Sequence, residues 1–62
     1  MNMCEIIEKI RKYCLEVHHE DGNLYTVIVN QKNVNKVVDM LKGVGAELHF
    51  NYSDNILIEV LL

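Results

Sequence analysis

The chain has 62 residues, half of them hydrophobic, with nine acidic and six basic residues and a formal net charge of −3 at pH 7. A chain of this length forms one domain and buries little surface on folding, so a second copy would help to complete its core. The acidic balance and the scattered Lys and Arg residues give no basic field for phosphates, so nucleic-acid binding is not expected.

Membrane insertion and disulfide formation are not expected either. The sequence has no signal-peptide core and no apolar run long enough to cross a bilayer, which predicts a cytoplasmic protein without a membrane partner. Cys4 and Cys14 lie about 15 Å apart if one helix carries both, beyond the reach of a disulfide. They are interpreted as small hydrophobic residues in a reducing compartment.

The first predicted element is an amphipathic helix that begins near the chain start. Asn2 is a suitable N-cap, and Glu5 stands where the acid of a capping box would reach back to it. The apolar stripe of this helix has the expected spacing and consists of Met3, Ile6, Ile7, Ile10 and Tyr13.

The stretch LEVHHEDGNLYTVIV, residues 15–29, admits two interpretations. In one, a long helix over residues 3–20 is followed by three strands. In the other, residues 15–20 form a strand that turns at Asp21-Gly22 into a second strand, because Asp-Gly favours tight hairpins. The hairpin is preferred, because the corresponding residues of the second half alternate with the period of a strand.

The second half repeats this order. Asn33 is the predicted N-cap of a second helix, and Gly43 is its predicted stop. The apolar stripe of that helix consists of Val34, Val37, Val38, Leu41 and Val44. A strand follows over residues 46–52, where Ala46, Leu48, Phe50 and Tyr52 alternate, and residues 53–55 form the predicted turn before the last strand.

Residues 2–30 and 33–62 match as two copies of one helix–strand–strand unit. Glu16 and His18 of the first copy fall on Glu47 and His49 of the second, and one extra residue is needed before the last strand of the second copy. We therefore predict a single α+β domain over residues 1–62. Its duplicated unit (αββαββ) places two helices on one face of a four-stranded, mainly antiparallel sheet.

Counting alternate residues along the predicted strands separates the two faces of the sheet. On this count Val17, Thr26, Ile28 and Leu48 face the helices. The opposite face then carries a cluster of five large side chains, which are Tyr25, Val27, Val29, Leu57 and Leu61. An exposed apolar cluster of this kind usually marks an interface, so the sequence predicts a homodimer formed through it.

Four polar residues on the same predicted face suggest a second, chemical interpretation. Glu16 and His18, with the matching Glu47 and His49, are carboxylate and imidazole ligands suitable for a divalent metal, and a Glu beside a His also orients a general base. The simpler interpretation is a solvated sheet face, on which such residues are ordinary. No cofactor is expected apart from this possible metal.

Two functions follow from these patterns. The favoured one is a small homo-oligomeric interaction module without catalytic activity, acting as an adaptor, accessory subunit or inhibitor of another protein. The alternative is a metal-binding or metal-dependent protein that uses the paired Glu and His residues. No serine or cysteine nucleophile stands beside an evident base, which argues against an enzyme.

Overall fold

The computed structural model of the chain describes residues 4–50 and 54–62, with the side chains of residues 5–48 and 54–62. Two helices and four strands follow one another in the order α1 (Cys4–Arg11), β1 (Glu16–Asp21), β2 (Leu24–Asn30), α2 (Gln31–Met40), β3 (Gly45–Phe50) and β4 (Asn55–Leu61). The helices have 8 and 10 residues, so neither helix of the described chain is long or apolar enough to cross a membrane.

The first helix is short, and residues 16–21 form a strand, so the long helix over residues 3–20 is excluded. Helix α1 ends at Arg11 in a turn in which the amide of Tyr13 donates to the carbonyl of Ile10 at 2.9 Å. The amide of Cys14 donates to the Arg11 carbonyl at 3.0 Å. These bonds reverse the chain into β1. The predicted caps Asn2 and Glu5 depend on the chain start, which lies outside the described residues.

Helix α2 begins three residues earlier than predicted. Its N-cap is Asn30, whose side chain accepts a hydrogen bond from the amide of Lys32 at 3.0 Å, so the prediction of Asn33 as the cap is wrong. Asn30 is also the last residue of β2, which means that strand and helix join without a loop. Gly43 lies in the turn after α2 with φ +96°, a conformation that favours glycine. Of the predicted turn at residues 53–55, residue 53 lies outside the described residues, Asp54 is in a turn and Asn55 begins β4.

The four strands form one antiparallel sheet in the order β1-β2-β4-β3, with β2 and β4 in the centre. The predicted α+β architecture with two helices and a four-stranded sheet is confirmed. That the two halves are copies of one unit stays a prediction. Strand β2 begins at Leu24 and β4 at Asn55, 31 residues later, which is also the separation of Glu16 from Glu47. The predicted match instead sets Leu24 against Ile56, 32 residues later, so it differs by one residue from the spacing of the strand starts.

The core lies between the helices and one face of the sheet, here called the helix-facing side. Helix α2 crosses β2 and β4, and α1 packs against α2. The buried side chains form one cluster of apolar residues, namely Ile7, Ile10, Val27, Val29, Val37, Leu41, Ile56, Ile58 and Val60. Both predicted helix stripes contribute to it, as their spacing requires.

The predicted faces of β2 are reversed in the structure. Val17 pairs with Val27 and His19 with Tyr25, whereas the turn closes at the pair Asp21 and Leu24. Two residues of β1 therefore match one of β2, which makes a bulge at Glu20. A slip of one residue moves every side chain to the other face, so Tyr25, Val27 and Val29 face the helices.

Candidate interaction face

The side of the sheet opposite the helices is here called the outer face. The register places its residues in three rows that run across the strands. The first row is Asp21, Leu24, Leu61 and Gly45, the second is His18, Thr26, Glu59 and Glu47, and the third is Glu16, Ile28, Leu57 and His49. The first and third rows are thus apolar on the central strands, and the middle row is polar throughout.

The apolar residues of the outer face lie side by side on β2 and β4. Leu24, Ile28 and Leu57 are half-buried, and Leu61 is 59% exposed. Gly45 lies next to Leu61 on this face. A Cβ atom at position 45 would be 3.5 Å from the Cβ of Leu61. An open depression on this part of the sheet is lined by Gly45 together with Leu24, Leu61, Ala46, Glu47 and Glu59.

Only part of the predicted interface cluster lies on this face. Leu57 and Leu61 are on the outer face, as predicted. Val27 and Val29 are fully buried against the helices, and Tyr25 lies on the same helix-facing side. Leu24 and Ile28 take their places on the outer face. The sequence carries little signal for this exchange, because β2 is apolar at both sets of alternate positions.

The four predicted metal ligands do not come together within one chain. His18 and Glu16 form a hydrogen bond on β1, with 2.8 Å between Nε2 and Oε1. Glu47 and His49 are on β3, at the opposite edge of the sheet, three strand spacings or roughly 14 Å away. Within the described side chains, no group of three or more His, Cys, Asp or Glu residues is placed to hold a metal ion.

No family model, curated protein or solved structure matches this chain. The chemistry of the outer face is therefore argued from its own residues.

Charge is divided between the two layers of the molecule. All six Lys and Arg residues lie in segments 4–12 and 31–42, together with three acidic residues. The strands and hairpins carry the other six acidic residues and no Lys or Arg, which accounts for the net charge of −3. The basic residues are thus not scattered in the folded chain. They lie in the helical segments, and the outer face is acidic.

His19 has a structural role at the first hairpin. Its Nε2 donates to the carbonyl of Gly22 at 2.7 Å, and its ring stacks on Tyr25 with centroids 4.3 Å apart. The predicted local hydrogen bond is present, but the residue is exposed rather than partly buried. Gly22 has φ +47°, a backbone conformation that favours glycine. The hydrogen bond from His19 therefore stabilises a turn that depends on this glycine.

Proposed function

We propose that this chain is a small protein-interaction module that self-associates through the outer face of its sheet. In that role it acts on another protein as an adaptor, accessory subunit or inhibitor rather than as an enzyme. The observation that supports the proposal is the set of four large apolar side chains on the central strands of a face that the described helices do not cover, namely Leu24, Ile28, Leu57 and Leu61.

The apolar character of this surface favours a second copy of the chain as its partner. Clustered apolar side chains on a sheet face exposed to water favour association, and sheets that pack face to face bury such residues between them. A 62-residue chain also has a small core, so burial of Leu57 and Leu61 between two copies would add stability. The acidic outer face offers no Lys or Arg for a phosphate backbone.

The test compares two leucine variants by sedimentation velocity over a range of concentrations. Leu61 is 59% exposed on the outer face, and Leu48 is 43% exposed on the helix-facing side of β3, opposite Ile58. Leu61→Lys should abolish self-association, because a charge would be buried between the copies, while Leu48→Lys should leave it intact. Equal behaviour of the two variants, or a monomeric unmodified chain at 100 µM, would contradict the proposal.

A further inference from the structure

The rows of the outer face determine how two copies can pack. Sheets that pack face to face commonly keep their strands aligned, and a twofold axis between two such sheets then runs either nearly across the strands or nearly along them. With the axis across the strands, the middle row falls on itself residue by residue. Glu59 would then face Glu59 of the second copy, and Glu47 would face Glu47, which brings four carboxylates together in pairs of like charge.

An axis along the strands reverses each row instead. The strand order β1-β2-β4-β3 then sets β1 over β3 of the second copy and β2 over β4. Leu24 faces Leu61, and Ile28 faces Leu57, so each apolar pair is kept. In the middle row Thr26 faces Glu59, and His18 faces Glu47, so no two carboxylates of that row oppose each other.

We infer that the chain forms a twofold dimer whose axis runs parallel to the strands, with His18 of each copy against Glu47 of the other. This inference rests on the proposed self-association and adds its geometry. It assigns His18 and Glu47 as the residues that select the packing orientation, while the leucine and isoleucine pairs supply the contact area.

The helix layer of a second copy is a poorer occupant of the outer face. Its helical segments carry exposed charged side chains, among them the ion pairs Arg11–Glu8 at 3.7 Å and Lys42–Asp39 at 2.9 Å. Basic helices would complement the acidic sheet, but among the described residues neither helix carries an exposed large hydrophobic side chain to match Leu57 and Leu61. Such head-to-tail packing would also continue into an open chain of copies, whereas the twofold packing closes at two.

The size of the outer face is compatible with this dimer. Four strands about 4.8 Å apart and about 20 Å long cover roughly 400 Å² in projection. Side-chain relief makes the accessible area larger, which brings each copy near the roughly 600 Å² per partner at the lower end of stable interfaces. We therefore expect a dimer that dissociates in the micromolar range rather than an obligate one.

A charge exchange tests the axis. His18→Glu alone places two pairs of carboxylates in contact and should raise the dimer Kd about tenfold. The double variant with Glu47→Lys restores opposite charges across an axis along the strands, and its Kd should return to within about threefold of the unmodified chain. Kd is measured by sedimentation equilibrium at pH 7 with a chelator present. His18→Glu combined with Glu20→Lys, a residue at the bulge outside the three rows, changes the net charge by the same amount as the double variant and controls for it.

The outcomes separate the inference from the function on which it rests. If the unmodified chain dimerises but the double variant binds no more tightly than His18→Glu alone, His18 does not face Glu47 of the other copy, and the inference is overturned while self-association stands. Species that grow beyond two copies with concentration would overturn it in favour of head-to-tail packing. A chain that stays monomeric would overturn both. All these residues are on the sheet surface, and circular dichroism verifies that each variant is folded.

Discussion

Glu47 on β3 lies directly opposite Glu59 on β4, so two carboxylates of like charge are neighbours on the outer face. Like charges in this position destabilise a sheet, and an opposite pair contributes about 0.2–1 kcal/mol. Glu47→Lys should therefore increase the free energy of unfolding of the monomer by about 0.5 kcal/mol. Urea denaturation at a concentration where the chain is monomeric measures this.

The same substitution elsewhere serves as the control. Glu20→Lys makes the same change of net charge at the bulge, where the register gives no cross-strand partner. It should change stability by less than Glu47→Lys. Equal effects of the two variants would mean that net charge, rather than the contact with Glu59, determines the result.

The register of the first hairpin predicts opposite roles for two adjacent residues. Val27 is fully buried under the helices, and Ile28 is half-buried on the outer face. Val27→Ala should cost about 2 kcal/mol of unfolding free energy through lost burial and the cavity left behind, and Ile28→Ala about half of that. Urea denaturation of the two monomers compares them directly. The reverse order of costs would show that the faces of β2 are assigned wrongly.

The same hairpin shows how far the sequence determines the fold. Stripes such as Ile7 with Ile10 identify the helices and their buried faces, because only one side of each helix is apolar. Strand β2 is apolar on both sides, so alternation does not tell which side is inside. The bulge at Glu20 decides it, and nothing in the local sequence marks that residue as a bulge.

The candidate site was predictable only in part for a related reason. Leu57 and Leu61 alternate with buried residues on a strand whose phase is clear, so the sequence alone places them on the outer face. Placing Glu16 near Glu47 required the strand order, which alternation along single strands does not contain. Because β1 and β3 form opposite edges, residues that match in sequence are far apart in one chain.

Because β2 and α2 join directly at Asn30, we expect this residue to contribute more to stability than the neighbouring polar residues of α2. Its side chain caps the helix by accepting from the Lys32 amide, whereas Asn33 lies within the first helical turn. Asn30→Ala should cost about 1 kcal/mol of stability, and Asn33→Ala should be close to neutral. Thermal unfolding of both variants measures the difference. A larger loss for Asn33→Ala would place the start of the helix later in the chain.

The reactivity of the Cys14 thiol tests whether this side chain is partly buried at the end of α1. Its Sγ donates to the carbonyl of Ile10 at 3.2 Å. Partial burial raises the pKa of the Cys14 thiol, although the nearby Arg11 guanidinium lowers it in part. Because the thiolate is the reactive form, Cys14 should react with an aromatic disulfide reagent more slowly at pH 8 in the folded chain than in urea. A Cys4→Ser background leaves Cys14 as the only thiol.

The same raised pKa predicts how stability depends on pH. The folded chain holds the thiol proton more tightly than the unfolded chain, so this contribution to stability is complete below the ordinary thiol pKa. It is lost as the pH rises above about 8.5 and through the raised value. Urea denaturation between pH 7 and 10 should therefore show a decline that Cys14→Ser reduces. An equal decline in both proteins, together with equal reaction rates in the folded and unfolded chains, would mean that Cys14 is fully solvated.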